Sequence, residues 1–356
     1  MITTLGGMVE IDTGALGRAM LVLAPLVLAA ALSGNANWLL AAIVTVSAYI
    51  AMEKSGLAPL GVVLHGLVIV VGFMALLTAQ AVPPLFVAGC AALASTSILL
   101  TARGAKLQSL GIFTFIPTVY LACEASQAAA PRQLVQHGIA FLPFLVVALL
   151  PVVLLSAFDH ILASGPEANR LDHFRRILRW DELGVRSFYG EAMIAAALAA
   201  AVAASAVEWW HIEHGQWVIW SAASVVTGDA ASGHKKLRDR ITGAIVGAPA
   251  GIGVGLLLPQ GVQAYGGIAC GIATVVAVLS LVALRPYVVA FGLRCGCAGF
   301  GLLLASHSTA IAAERTANVV LGGIIGIAFV LIIRAVAGAF QPARNHHDII
   351  CTSPHS

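Results

Sequence analysis

The sequence predicts an all-α polytopic membrane protein, with about twelve transmembrane helices in two six-helix halves. Three observations predict it. Of 356 residues, 60% are hydrophobic and only 10% charged, against roughly 25% charged in soluble domains. Apolar stretches close to the ~20 residues that cross the hydrocarbon of a bilayer recur along the whole chain. Lysine and arginine fall almost entirely on one side of the spans counted this way. A soluble fold has too few charges here to cover its apolar surface. No basic tract is interleaved with aromatics, which argues against nucleic acid as a partner.

In chain order, the first half is residues 1–157. Its spans are expected at roughly 19–33, 37–52, 60–79, 84–101, 108–123 and 138–157, separated by turn-like segments such as Ser33-Gly34-Asn35 and Pro83-Pro84. The segment up to Met20 carries Glu10 and Asp12 and has no basic n-region, so no cleaved signal peptide is read. Residues 158–186 form a polar linker in which Leu171, Phe174 and Leu178 have helical spacing, predicting an amphipathic helix on the cytoplasmic surface. The second half, 187–340, has spans at roughly 187–207, 216–230, 241–259, 265–284, 288–306 and 317–339. A tail, 341–356, follows.

With the N-terminus in the cytoplasm, sixteen of nineteen lysines and arginines lie on that side. Arg132 and Arg315 lie opposite, and Arg294 falls inside a span. The positive-inside rule therefore places both termini in the cytoplasm, with the cell inner membrane as the expected location. Trp209 and Trp210, next to Glu208, suit an aromatic belt at the outer interface.

The halves echo one another. Trp38 opens the second helix of the first and Trp217 the second helix of the second, and Gly66 and Gly72 meet Gly247 and Gly253 at an offset of 181. Six spans per half give a parallel repeat about an axis along the membrane normal, and transporters place substrate sites between such halves.

The most informative stretch runs from His214 to Leu258. After Trp217 a helix leads to Asp229, then to a basic loop with Lys235, Lys236, Arg238 and Arg240, then to a helix with Gly243, Gly247, Gly251 and Gly255 on one face. Glycines four apart let helices approach closely in lipid, where packing drives association. Trp217 followed by Arg240-Ile241-Thr242-Gly243 and Gly247 resembles the fusaric acid resistance family and the related aromatic acid exporters, FUSC-like integral membrane bound transporters. Two features depart from the family pattern. Many relatives carry a large cytoplasmic domain after each helical half, which the 158–186 linker and short tail do not supply, and the first half has only Glu53-Lys54 where the basic loop would be. The resemblance implies efflux of aromatic or other organic carboxylates. Some relatives work with a periplasmic adaptor protein.

Arg294 is the sharpest candidate for substrate contact. A cation at membrane depth costs about 2.5–3.5 kcal/mol on insertion scales and faces a cavity or partner, or snorkels to the surface. An arginine fork suits a carboxylate. Glu191 has three readings: an ion pair, a coupling proton, or opposition to the helix dipole. His65 sits in an apolar run, as a titrating group or as a hydrogen-bonding partner of a neighbouring helix. Trp217 and Trp220 are read as a stacking surface for an aromatic substrate or as packing. Asp229, Lys235, Lys236, Arg238 and Arg240 form a cytoplasmic entrance in which the four cations attract anions and contact anionic lipid, while Asp229 is read as an ion-pair partner of Lys236 or Arg240 or as a proton relay.

Six cysteines show no CxxC or Cys/His metal spacing, so neither metal nor cofactor is expected. No HExxH or GxSxG occurs, and Thr227-Gly228-Asp229 lacks the first glycine of a GxGD motif, which argues against an enzyme. No P-loop is present. The leading reading is a proton-driven exporter of a small organic anion. A passive organic-anion channel, like the distantly similar plant malate channels, and a non-transporting membrane scaffold are the alternatives.

Overall fold

Local chemistry sets most helix ends. The Asp12 carboxylate accepts a hydrogen bond from the Ala15 N–H at 2.9 Å and caps the first helix. Gly34 (φ 65°) and Gly56 (φ 66°) close the first two in the left-handed region, which glycine enters without a Cβ penalty. Pro59 and Pro83 start the third and fourth, where the missing N–H costs nothing. The computed structural model describes residues 2–4, 9–163, 176–179, 190–226, 230–258, 266–306 and 308–339.

Twelve α-helices occur among them: α1 (Thr13–Ser33), α2 (Asn37–Ser55), α3 (Pro59–Ala79), α4 (Pro83–Arg103), α5 (Gln108–Ala128) and α6 (Leu134–Ala163), then α7 (Gly190–Trp210), α8 (Gln216–Val225), α9 (Ala230–Leu257), α10 (Gly266–Ala283), α11 (Tyr287–Ser306) and α12 (Thr309–Ala339). Ten are long and apolar enough to cross a membrane, and the shorter apolar stretch of α10 is Gly271–Ala283. The fold is an all-α polytopic membrane protein.

Several boundaries differ from the sequence expectation: α1 starts at Thr13 rather than 19, α5 runs to Ala128 rather than 123, and α9 starts at Ala230 rather than 241. The eighth span was expected over 216–230, but α8 has 10 residues, about 15 Å at 1.5 Å per residue, half of a ~30 Å hydrocarbon core. Helix α12 begins at Thr309 rather than 317, so Arg315 lies within the helix and not in an outer connection. Helix α6 runs to Ala163, beyond 157. In the linker, Leu178 forms an antiparallel bridge with Leu57. Ala58 N–H donates to the Ile177 carbonyl and Arg179 N–H to that of Gly56. Leu171 and Phe174 lie outside the described residues.

Packing in the first six helices recurs in the last six. Helix α2 packs on α6 as α8 does on α12; α3 contacts α5 and α6 as α9 contacts α11 and α12; α4 lies on α5 as α10 lies on α11. Between the halves, α4 packs on α7 and α1 on α10, the pairing expected of a two-fold arrangement. The α4–α7 contact uses a run of buried alanines, among them Ala195, Ala199 and Ala203. Helix α5 also meets α8 across this boundary.

One end of the bundle carries a three-stranded sheet, β1 (Ile2–Thr4), β2 (Val9–Ile11) and β3 (Leu284–Arg285), which ties the N-terminus to the start of α11. At the same end, Arg18 bridges Glu53 at 2.6 Å and Asp159 at 2.5 Å, and Arg179 reaches Asp159 at 3.4 Å. This is the hairpin end. Helix α5 finishes and α12 starts at the opposite end.

Candidate functional site around a short buried helix

Helix α8 is polar yet enclosed. Gln216 is 1% exposed, and Ser221 and Ser224 are buried with it. A buried hydroxyl or amide needs a partner, and these three side chains find theirs on three different helices. Gln216 Nε2 donates to Glu124 Oε1 on α5 at 2.6 Å. Ser221 donates to the Val319 carbonyl on α12 at 2.7 Å. Arg240 on α9 donates to Ser224 Oγ at 2.6 Å and Ser221 Oγ at 3.3 Å, and its Nε donates to the Tyr287 hydroxyl of α11 at 2.9 Å. Gly322 and Gly326 allow α12 to lie directly on α8, because a Cβ at either would overlap the Val218 or Ala222 carbonyl.

Cations run along this helix. Nearest the hairpin end are Lys236 and Arg240, in electrostatic reach of each other and, from Lys236, of Arg294. The Arg294 guanidinium lies 5.4 Å from the Tyr287 ring and 5.1 Å from Phe291, with Nε donating back to the Ala290 carbonyl. Cys295 stands between, within electrostatic reach of Arg240, Arg294 and Arg315. Arg315 closes the series, 3.7 Å over the Trp217 ring. Trp217 in turn packs on Trp220 at 4.9 Å and edge-on to Tyr120 at 5.9 Å. Among the described residues, no carboxylate lies within ion-pair distance of Lys236, Arg240 or Arg294. Glu124 is in electrostatic reach of Arg315.

The candidates chosen from sequence divide by place. Arg294, Trp217, Trp220, Lys236 and Arg240 come together here. Arg240 is 5% exposed and fully engaged by hydroxyls, so its side chain lies inside the bundle and not at an open entrance. Lys235 and Arg238 are exposed, the latter 3.9 Å from Asp239. Asp229 lies outside the described residues. Glu191 is exposed in the first turn of α7, away from this cluster. His65 is buried in α3, and neither ring nitrogen has a hydrogen-bond partner among the described residues. The α9 glycines face α11: a Cβ on Gly243 would crowd Gly292 N, on Gly247 the Gly292 carbonyl, on Gly251 the Gly296 carbonyl, and on Gly255 the Leu303 side chain.

Sequence reasoning missed Glu124, Gln216, Tyr120 and Arg315. Span boundaries drawn at 123 and 317 left Glu124 and Arg315 one and two residues outside the membrane. A carboxylate and a guanidinium at the very edge of apolar runs were the available signal. At the end opposite the hairpin, a cavity of about 430 Å³ is lined by Cys123, Ser126, Glu208, His211, His214 and Gly215, among others.

The model of the fusaric acid resistance protein-like family matches residues 199–329. That region runs from α7 into α12 and includes Gln216, Trp217, Arg240, Arg294 and Arg315, while Glu124 lies outside it. No curated protein and no solved structure matches the chain.

Proposed function

We propose that this fusaric acid resistance protein-like membrane protein exports a small organic anion, aromatic carboxylates among them, across the cell inner membrane under the proton-motive force. The observation that supports this reading is the line of cations, Lys236, Arg240, Arg294 and Arg315, at membrane depth in one half of the bundle. Positive charge in low dielectric with no carboxylate at ion-pair distance among the described residues is costly unless an anion visits it. Aromatic rings at Trp217, Tyr287 and Phe291 flank the guanidinium groups and give an aromatic acid a stacking surface. Arg240 holds the end of α8, which leaves Arg294 and Arg315 as the carriers of substrate charge. The hairpin end faces the cytoplasm, so anions enter past Lys235, Lys236 and Arg238. Transport requires no catalytic group and no cofactor, and a periplasmic adaptor would dock at the opposite end.

Everted vesicles test this directly. Radiolabelled benzoate should accumulate in vesicles containing the protein, lose at least about tenfold of its rate in Arg294→Ala, and stop when an uncoupler is added. Equal accumulation with and without the protein would overturn the reading.

A further inference from the structure

The anion-carrier reading leaves one buried group unused, the Glu124 carboxylate. It sits on α5, in the half of the molecule that lacks the cation line, and reaches across the boundary between the halves to Gln216. Four titratable or charged groups face it. Tyr120 and Cys123 come from its own helix, His214 from the α7–α8 connection, and Arg315 from α12, while Glu208 of α7 faces Cys123. Gln216 Oε1 and Trp220 Nε1 are buried on the same side of α8 and have no partner among the described residues. A site with a cation, an aromatic wall and two unpaired polar atoms is built for a ligand that is not part of the chain. Glu124 is the carboxylate in electrostatic reach of Arg315, beyond ion-pair distance.

We propose that Glu124 is a tethered counter-anion that competes with a substrate carboxylate for Arg315, so that the subsite formed by Tyr120, Gln216, Trp217 and Arg315 takes an aromatic carboxylate together with a proton on Glu124. The argument is one of charge. Two carboxylates beside one guanidinium repel each other, and protonating the tethered one removes the conflict. The cavity is lined by Cys123 and Gly215, the chain neighbours of Glu124 and Gln216, and the proton's route in this proposal runs through it to the end opposite the hairpin. The proton loads and leaves by that route, so it gates the anion rather than crossing with it. The force on the anion is then the potential component of the proton-motive force. This inference rests on the anion-carrier reading, and its test separates the two.

The test uses the purified full-length protein. Infrared difference spectra on acidification should show a protonated-carboxyl band that is absent in Glu124→Gln. In Arg315→Gln the midpoint of that band should move up by at least about one pH unit, because the counter-charge is gone. Arg315→Lys keeps the charge and should keep the wild-type midpoint. Equilibrium binding of labelled benzoate should tighten as pH falls from about 8 to about 6, where benzoate stays ionised. Glu124→Gln should bind at least about tenfold tighter than wild type at the upper end of that range and lose the pH dependence. An unshifted midpoint in Arg315→Gln, with benzoate still bound, overturns the role of Glu124 and leaves the carrier reading intact. Binding by none of the variants overturns the competition and the carrier reading together.

Discussion

Arg240 shows how a single side chain can carry more structure than its charge suggests. Its guanidinium satisfies Ser221, Ser224 and Tyr287 at once, from α9 to α8 and α11. Removing it takes one partner from each of the three hydroxyls, at roughly 1.5–3 kcal/mol for each bond to a charged group, although the buried Ser221 and Ser224 keep their bonds to the Val319 and Ser221 carbonyls. Arg240→Ala should therefore lower the melting temperature of the detergent-solubilised protein by several degrees. Arg240→Lys should recover only part of the loss, because an ammonium cannot reproduce the planar fork. A melting temperature unchanged in both variants would contradict the tether. The sequence marked Arg240 as one of several loop cations, which is what a count of charges sees. That its partners are two serines and a tyrosine from other helices is a tertiary fact with no local signature. Glu124 and Arg315 were hidden differently: apolar composition locates a span well and its ends poorly, and both residues lie within two turns of a helix end.

Among the elements, the α9–α11 pair makes the tightest seam. Gly243, Gly247 and Gly251 present a bare face to Gly292 and Gly296, backbone against backbone. The four-residue spacing of the α9 glycines was plain because it follows the helical period. The partner helix was not, since nothing in the spacing says whether Gly292 or some other helix receives it. Nor did the repeat matches at an offset of 181 predict contacts: Gly66 packs on Leu149 of α6 while Gly247 packs on α11, and Gly253 has no atom within 4 Å of a built Cβ. Helix order repeats where individual glycines do not. A side chain at Gly251 must push the Gly296 carbonyl away, and overpacking of this kind costs about 1–3 kcal/mol or more. Gly251→Leu should lower thermal stability and abolish transport. Gly253→Leu, in open space, should change neither. Comparable melting curves for the two would remove the seam from the account. The shortness of α8 was also illegible, because Gln216–Val225 and the residues after it are apolar enough to read as one span.

For the whole molecule, the arrangement turns on which end faces the cytoplasm. The sheet joining β1 and β2 to β3 places the N-terminal residues beside Leu284 and Arg285, with ten helices between them, and Arg18, Glu53, Asp159 and Arg179 gather at the same end. An even number of crossings returns the chain to its starting side, so the two short members, α8 and α10, must each count as a crossing for the alternation to hold. Helix α8 stops at Val225, at the level where Ser224 meets Arg240, ten residues after α9 begins at Ala230. In the orientation we propose, the lysines and arginines concentrated at that end face the cytoplasm, and α12, which starts at the far end, returns to it at Ala339. Fusions at the C-terminus should then give fluorescence with a green fluorescent protein and no activity with an alkaline phosphatase, which folds only outside the cytoplasm. A phosphatase fusion after Gln80 in the α3–α4 connection, at the end opposite the hairpin, should be active. The reverse pattern would invert the path: Arg315 and Glu124 would then meet the anion first on the cytoplasmic side, and the cation line would run in the direction of uptake.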